Sequence, residues 1–391
     1  MDWPSVPVES IPYHRFSPRF CPRPDCRQHR VGPRRFRFTR LSQTYTRKCD
    51  RRTVSVFLCQ ACRHKFSQQA FAFSYFLKRP ELSTPIARGL VNGAAHRQIA
   101  RIAGCAHSTV TKRARRLGRH AQLLQQIVLG ALPGIGEPVN YDDFETFTGS
   151  QYFPCGFGTS IGHHSWFSYT LGFAPHRRTG KLTPAQIRRQ AALDRLCGPR
   201  PKDSYARALA MQLDMLGPKL AGARPTLITD DHKAYARVLR RHPIGDRIRH
   251  LIFPNPKRGP KGSPRAPEAK ARDQAMFPVD MVHRFLRHSV KAHARETISF
   301  GRRIEAQLER LYLYAVFRNL VKRRSERRPN APTPAMWLSL TTEPWRWERV
   351  FAKRLQPSRI DGGPAWHELY KREMRTPTLP HTPPHALKLA F

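Results

Sequence analysis

The sequence predicts a multidomain α/β protein, and three observations support that prediction. The chain has 391 residues, enough for two or three separate cores. Four cysteines form two close pairs near the N-terminus, a pattern typical of a small metal-stabilised domain. From about residue 138 to 325, apolar runs with strand character are interleaved with helical patterns. We therefore expect a small cysteine-containing domain, a helical domain, and a mixed sheet flanked by helices.

The charge of the chain is far outside the ordinary range. It carries 70 Lys and Arg against 27 Asp and Glu, a net charge of +43. Such a surface attracts polyanions by releasing their counterions, so nucleic acid is the expected partner. A membrane surface is the competing interpretation, but no apolar run approaches the roughly 18 residues of a membrane-spanning helix. The sparse cysteines and the lack of a secretory signal indicate a reducing, cytoplasmic compartment.

Residues 15–70 are predicted to form a zinc ribbon. Cys21 and Cys26 make one pair, and Cys59 and Cys62 make the second. Two such pairs supply four soft ligands to a tetrahedral Zn²⁺, with the chain between them forming a small sheet. The alternative is a set of free buried thiols. Cys49 is an additional thiol that could replace one of the four ligands.

Residues 80–125 are predicted to form a helix-turn-helix. A short helix over 96–103 stops at Gly104, and a second helix begins at Ser108, a good N-cap residue. Val110, Ala114 and Leu117 repeat at helical spacing and predict its buried face. The remaining residues would face the DNA major groove: Ser108, Thr111, Lys112, Arg115 and Arg116. The alternative is an ordinary solvated basic helix.

Two aspartates stand where metal-dependent phosphodiester chemistry needs carboxylates. Asp142 follows the apolar run 138–141, and Asp230 follows the run 226–229. Two such carboxylates and a third acid could hold a pair of divalent cations beside a phosphodiester. The alternative is that each aspartate only caps the turn or helix after it.

The third acid has two candidates on a helix predicted over 278–297. Asp280 shares a polar stripe with Arg287 and Lys291, so the acid could hold metal while a cation binds phosphate. Glu296 has the same spacing to Arg303. On a straight helix the two acids would lie roughly 24 Å apart, so one site cannot use both. We favour Asp280, because Glu296 is also explained by an ordinary helical ion pair.

The remaining strands, helices and loops are predicted from hydrophobic periodicity and from Pro and Gly residues that interrupt it. The segment 254–267, rich in Pro, Gly and basic residues, cannot pack a core, so we expect a mobile loop that contacts DNA or a passive linker. The predicted strands are 138–148, 165–173, 225–229 and 249–253, and the predicted helices are 183–197, 203–216, 231–241, 278–297 and 302–322.

These features together resemble the transposases of the IS1 type of bacterial insertion sequences. The likeness runs from about Cys21 to Lys322 and is carried by residues 59–66, the helix pair with 97–100 and 108–110, Asp230 followed by Tyr235, and 294–303. The resemblance implies that 136–325 form a ribonuclease-H-like catalytic domain. Residues 326–391, a basic extension with Pro and Trp, lie outside it.

Carried over residue by residue, the resemblance implies catalytic acids at Asp142, Asp230 and Asp280, with Asp143 as an alternative first acid. It places the downstream basic residue at Arg287. The chain departs from the family by having Asp at 280, where the family has Glu, and by having Glu145 where an aromatic residue is common. The shorter acid moves the carboxylate by about 1.5 Å.

The function implied is that of a DNA transposase that binds the terminal inverted repeats of its element. Its three acids would bind Mg²⁺ or Mn²⁺, and Zn²⁺ would be structural. The partners would be double-stranded DNA and a second copy of the chain, in a bacterial cytoplasm at the nucleoid. The alternatives are a decayed transposase that acts as a non-enzymatic repressor, or a nuclease with the same metal site.

Overall fold

The structure is a computed structural model that describes residues 3–178, 180–256, 259–260, 262–294, 297–374 and 376, and it is mixed α/β. Within these residues the strands are β1 Phe38–Thr46, β2 Thr53–Cys59, β3 Lys65–Ser67, β4 Val139–Thr148, β5 Ser150–Gly162, β6 Ser168–Leu171, β7 Ala174–Pro175, β8 Thr226–Asp230 and β9 Arg249–Phe253. The α-helices are α1 Ser83–Val91, α2 His96–Ile102, α3 His107–Ala131, α4 Pro184–Cys197, α5 Ser204–Leu216, α6 Lys233–Leu239, α7 Pro267–Ala275, α8 Phe277–Ser289, α9 Ile304–Val316, α10 Pro334–Trp337, α11 Trp347–Val350 and α12 Gly363–Lys371. None of these helices is both long enough and apolar enough to span a bilayer.

The N-terminal sheet is small and has its own apolar cluster. Strands β1, β2 and β3 pair in sequence order, each antiparallel to the next. The rings of Phe16, Phe57, Phe66 and Phe71 meet beside this sheet and form a cluster separate from the main core. A cluster of this size supplies little hydrophobic stabilisation, so the cysteines beside it gain structural importance.

The central sheet has the strand order β6-β5-β4-β8-β9, with β7 also paired to β5. The pairs β6–β5 and β5–β4 are antiparallel, whereas β4–β8 and β8–β9 are parallel. Strand β4 therefore lies in the middle and has a neighbour of each kind. Because β4 and β8 run in the same direction, their carboxyl ends meet at the same edge of the sheet.

Most predicted elements of this region are confirmed, but one long strand was missed. Strands β4, β8 and β9 and helices α4, α5 and α6 lie within two residues of their predicted bounds. The predicted strand 165–173 is shorter in the structure, as β6 over Ser168–Leu171, and neither β5 nor β7 was predicted. Glycines and a proline hide the alternation of β5, yet Gly158 is required there. A Cβ on Gly158 would lie 2.6 Å from the hydroxyl of Tyr141.

Helix α8 is shorter than predicted. It ends at Ser289 rather than at 297, because Val290 is extended (φ −111°, ψ 101°) and places its side chain in the core. Lys291 belongs to a short 3-10 turn after this end. Asp280 and Arg287 therefore lie on one helix as predicted, but Lys291 does not belong to that helix.

Helix α3 is longer than predicted and joins two parts of the molecule. The helical region was predicted to end near residue 125, but α3 has 25 residues and continues to Ala131. Its middle crosses α9 so closely that a Cβ on Gly118 would lie 2.7 Å from the carbonyl oxygen of Glu309. The apolar residues of α3 share one core with the central sheet and α9.

The described part of the C-terminal segment is packed against the rest of the chain. Trp345, Trp347, Phe351 and Trp366 are buried in the main core. The segment also contacts the N-terminal region, where the Arg354 amide donates to the carbonyl oxygen of Phe71 at 2.7 Å. The ribbon is thus attached to the core partly through residues that follow the catalytic candidate in sequence.

Candidate functional site

Four thiols meet at the N-terminal sheet. The Sγ atoms of Cys21 and Cys62 lie 3.7 Å apart, those of Cys26 and Cys59 lie 3.8 Å apart, and all four are within 4.8 Å of one another. In a tetrahedral site with Zn–S bonds of about 2.3 Å, the sulfurs lie about 3.8 Å apart. The four predicted ligands therefore form a cluster that could bind a structural metal such as zinc. Cys49 is exposed and lies outside it.

The surroundings of these thiols favour a bound cation. Burial raises the pKa of the Cys21 and Cys26 thiols, so thiolates at these positions need a nearby positive charge. The ring of His29 supports the first pair rather than joining it. Its Nδ1 lies 2.7 Å from the carbonyl oxygen of Cys21, and its Nε2 lies 2.7 Å from Oγ of Ser358.

Two adjacent parallel strands position Asp142 and Asp230. Strands β4 and β8 pair Val139 with Leu227 and Asn140 with Ile228. Continued for two residues, the same register sets Asp142 beside Asp230 with both side chains on one face. The Asp230 carboxylate accepts the amide N–H of His232 at 3.1 Å, so it also caps the turn before α6. The alternative interpretation, in which Asp230 caps the turn after it, is therefore confirmed, and it is compatible with a metal-binding role.

The electrostatics of Asp142 show how close the acids are. Burial raises its pKa well above the ordinary value, and the charges of Asp230, Asp143 and Asp280 raise it further. Its Oδ1 accepts the Asp143 amide at 2.8 Å. Among the described residues, the cysteines are the one group of three or more such ligands with all atoms within 4.8 Å. The acids are neighbours but are less tightly gathered.

Asp143, the alternative first acid, lies on the opposite face of β4. Its Oδ2 accepts hydroxyl hydrogen bonds from Tyr141 at 3.2 Å and Tyr235 at 3.0 Å, while Oδ1 is buried without a partner. Burial raises the pKa of Asp143 to about 7. The two phenols occupy this carboxylate, and alternation along β4 turns it away from the Asp142 side.

Asp280 reaches the same region from the first turn of α8, but it is already paired. Arg272 of α7 donates from Nη1 to its Oδ2 and from Nη2 to its Oδ1 at 3.3 Å. Both side chains are largely buried, with 22% of Asp280 and 13% of Arg272 exposed. The protein thus supplies its own cation to the predicted third acid.

His283 belongs to this site, although the sequence analysis did not single it out. It lies one turn after Asp280, and its Nδ1 is 3.6 Å from Oδ2 of Asp142. Its Nε2 lies 2.7 Å from Oγ1 of Thr159. Burial lowers the pKa of His283 to about 3, and the nearby arginines act in the same direction. Its spacing of three residues from Asp280 is the signal that could have identified it.

The predicted phosphate-binding residues lie at the edge of the site. Arg287 donates to the carbonyl oxygen of Glu145 at 2.8 Å, and its guanidinium lies 4.6 Å from the Phe144 ring centre. Lys291 is half-buried after the end of α8. Glu296 lies outside the described residues, as do parts of the predicted loop 254–267.

The helix-turn-helix segment presents most, but not all, of its predicted contact residues. Ser108, Thr111 and Lys112 are exposed and Arg115 is half-buried. The prediction for Arg116 is wrong. It is buried, it donates to the carbonyl oxygen of Phe73 at 2.7 Å, and its guanidinium lies over the Phe73 ring.

The cap of this helix also differs from the prediction. Helix α3 begins at His107, with Ala106 in the capping position and no side-chain cap. Ser108 is therefore inside the first turn. The buried face of Val110, Ala114 and Leu117 is confirmed.

A cation-lined cavity of about 700 Å³ opens beside the sheet edge. His232, two residues after Asp230, lines it, together with Glu145 from β4. Its basic residues are Arg177, Arg178, Arg200, Lys202, Lys233 and Arg237. Asp194 and Asp203 also line it, and Arg237 is paired with Asp203 at 2.6 Å. Among the described residues, guanidinium nitrogens of Arg178 and Arg200 and both ring nitrogens of His176 are buried there without hydrogen-bond partners. Because basic residues outnumber acids in this lining, it suits a negatively charged ligand.

Comparison of the chain with protein-family models, with curated proteins and with solved structures found no match.

Proposed function

We propose that the chain is a DNA transposase that binds the terminal inverted repeats of an insertion sequence and cleaves and joins DNA strands. The central sheet supports this proposal. Three antiparallel strands continued by two parallel ones are the arrangement expected of a ribonuclease-H-like domain. The cysteine ribbon and the helix pair α2–α3 precede it in the order that the resemblance implies.

One observation carries the proposal. Asp142, the fourth residue of β4, stands beside Asp230, the last residue of the parallel strand β8, and α8 faces Asp142 with Asp280 and His283. The raised pKa of Asp142 means that its ionised form is unstable until a cation balances the carboxylates. Carboxylate oxygens are the ligands that Mg²⁺ and Mn²⁺ prefer. The donor set therefore fits a divalent ion.

In the proposed reaction, Asp142, Asp230 and Asp280 would hold Mg²⁺ or Mn²⁺, which would supply charge stabilisation at the phosphate and favour ionisation of a nucleophilic water. The side chains of this chain orient the DNA. Arg287, beside the site, contacts the backbone phosphate. Strand cleavage leaves a 3′-hydroxyl, and this hydroxyl replaces water as the nucleophile on target DNA. No covalent bond between protein and DNA is required.

The proposed partner is double-stranded DNA, and the side chains proposed to contact it lie on helix α3 and beside the acidic cluster. Thr111, Lys112 and Arg115 present the exposed side of α3 to the duplex. The net charge of +43 adds affinity that does not depend on sequence. Joining two element ends to one target requires two active sites, so we propose that the chain acts as a dimer or larger assembly on DNA.

The proposal is tested with labelled duplexes that carry the ends of the element, incubated with the full chain and Mg²⁺. Asp230→Asn is expected to lower the cleavage rate by at least about 100-fold, because charge stabilisation at the phosphate is lost. Asp231→Asn is the matched control, since Asp231 is the adjacent, exposed acid. Equal cleavage by the parent protein and Asp230→Asn would place the chemistry elsewhere.

A second candidate is a non-enzymatic DNA-binding repressor, and the ion pair between Asp280 and Arg272 favours it. A third acid that is permanently paired with arginine would leave the metal site incomplete. Binding of the element ends without cleavage in either Mg²⁺ or Mn²⁺ would support this repressor. Cleavage without joining would indicate a nuclease.

A further inference from the structure

Helix α8 brings a histidine as well as an acid to the carboxylates of the central sheet. His283 follows Asp280 by three residues, so the two side chains leave the same face of the helix. The imidazole packs against the Phe144 ring with a centroid separation of 5.3 Å, and 14% of its side chain is exposed. Its position is thus set by packing on one side and by polar contacts on the other.

Hydrogen-bond counting fixes the tautomer of His283. The Thr159 hydroxyl donates its single proton to the backbone carbonyl oxygen of Asp142 at 2.9 Å. It therefore acts as the acceptor in its 2.7 Å contact with Nε2 of His283. Nε2 carries the hydrogen, and Nδ1 carries a lone pair.

That lone pair is directed at a second acceptor. Nδ1 of His283 lies 3.6 Å from Oδ2 of Asp142. Two acceptors at this separation repel each other unless a proton or a cation lies between them, and a metal ion that displaces the proton of Asp142 supplies that charge. Two bonds of about 2.1 Å to one ion place the ligand atoms about 3.0–3.5 Å apart. The 3.6 Å contact is about 0.1 Å longer than the upper end of this range, so a small shift of either side chain would bring both atoms to the spacing of two ligands of one ion.

The support behind the ring is also that of a metal ligand. A histidine that binds metal through one nitrogen ordinarily donates the other N–H to a fixed acceptor, which orients the ring. Thr159 is that acceptor here, and it is fully buried on β5. Through its second bond, to the Asp142 carbonyl oxygen, Thr159 links the histidine to the strand that carries the carboxylate.

Asp280 is the competing ligand on α8, and its surroundings count against it. Arg272 binds both of its carboxylate oxygens, so binding a cation there requires an existing ion pair to break. Within the described part of the chain, Nδ1 of His283 has no polar partner other than Asp142 itself. The same helix thus offers one acid that is occupied by a guanidinium and one imidazole nitrogen that faces the acids.

We propose that His283 Nδ1 is a direct ligand of the divalent ion held by Asp142 and Asp230, in place of Asp280, which stays paired with Arg272. This inference rests on the metal site of the proposed function. It also specifies the ion. An imidazole beside two carboxylates favours Mn²⁺ over Mg²⁺, because nitrogen ligands suit transition metals better.

The test is binding of Mn²⁺ to the full chain with its cysteine cluster loaded with zinc, followed by pulsed electron paramagnetic resonance. We expect the bound Mn²⁺ of the parent protein to show hyperfine coupling to an imidazole nitrogen. His283→Ala removes this coupling and weakens Mn²⁺ binding by at least about 10-fold. Asp280→Asn keeps the coupling. His288→Ala is the matched control, since His288 is an exposed histidine on the same helix.

The possible results separate this inference from the proposed function. Mn²⁺ binding that is lost in Asp142→Asn but shows no nitrogen coupling in the parent protein overturns the role of His283 and leaves the acid site intact. Mn²⁺ binding that is indifferent to Asp142→Asn overturns both. If His283→Ala does not fold, labelling histidine with ¹⁵N in the parent protein decides the matter, because the coupling must change with the nitrogen isotope.

Discussion

The cysteine cluster and the acidic cluster are both candidate metal sites, and they are built in opposite ways. The four sulfurs stand at the spacing of a tetrahedral zinc site, and protein groups support them without competing for them. The acids come from separate strands and a helix, one of them is bound by Arg272, and they are less tightly gathered. The difference teaches that the four thiols are arranged to enclose one ion, whereas an ion at the acids would have to compete with an existing ion pair.

The largest expected effect breaks the closed site. Cys59→Ser removes one of four thiolates from a domain with a thin apolar cluster, so we expect the ribbon to lose its metal and unfold, with a loss on the order of 10 kcal/mol of metal-coupled folding free energy. Metal content per chain and limited proteolysis of residues 15–70 measure this loss. Cys49→Ser, at the exposed thiol, is expected to change neither. Retained metal in Cys59→Ser would contradict the four-thiolate site.

The second test concerns the carboxylate buried behind the open site. Burial raises the pKa of Asp143 from 3.8 to about 7, so the folded state holds a proton that the unfolded chain loses. The resulting stability is complete below pH 3.8 and is lost as pH rises through 7, by at most about 4 kcal/mol. Asp143→Asn removes this contribution, so its stability falls less over that pH range than that of the parent protein.

Urea denaturation of both proteins at pH 4.5 and 7.5 measures the difference. Subtraction cancels the buried histidines, whose lowered pKa values act in the opposite direction. An unchanged pH dependence in Asp143→Asn would show that this carboxyl group is ionised in the folded protein at all these pH values.

The third test compares two neighbouring arginines of helix α3, one buried by contacts within the protein and one on the proposed DNA side. Arg116 is buried against Phe73, so Arg116→Ala is expected to lower the free energy of unfolding by about 1–3 kcal/mol. Arg115, one residue earlier, is half-buried on the proposed DNA side. Arg115→Ala is expected to leave stability nearly unchanged and to reduce the salt dependence of DNA binding by about one counterion. The reverse pattern would exchange the two roles.

The smallest expected effect concerns the affinity of the acidic cluster for a divalent ion. Arg272→Ala frees the Asp280 carboxylate and adds uncompensated negative charge near Asp142. We expect Mn²⁺ to bind a few-fold to about 10-fold more tightly, because the competing cation is gone. Arg284→Ala, which removes an exposed arginine from α8, is the control. Isothermal titration compares them. Weaker binding in Arg272→Ala would mean that Arg272 supports the site rather than competing with metal.

Sequence could predict the parts of both sites that depend on local pattern. Asp142 and Asp230 were found because each follows an apolar run with strand character, although only β8 ends at its aspartate and β4 continues to Thr148. The four cysteines were found from their pairing. In contrast, the contacts of Asp280 with Arg272 and of His283 with Asp142 join residues brought together by packing, and periodicity carries no information about such pairs.

The errors in the helical region have a related cause. A repeat of Val110, Ala114 and Leu117 predicts one buried face, but α3 is covered on a further side by the segment that contains Phe73. Tyr370 of α12 covers α3 further along, where its carbonyl oxygen accepts a hydrogen bond from Arg119 at 2.8 Å. An amphipathic pattern counts apolar residues only, so it misses arginines that are buried by hydrogen bonding and ring contacts.

The uninterrupted course of helix α3 has a mechanical consequence. A 25-residue helix is about 37 Å long and resists bending, and its middle is packed closely against α9. Any duplex seated on the first turns is therefore held at a fixed offset from the sheet. The length of this rigid helix would then determine the number of base pairs between the recognised sequence and the cleaved bond, which a flexible linker could not do.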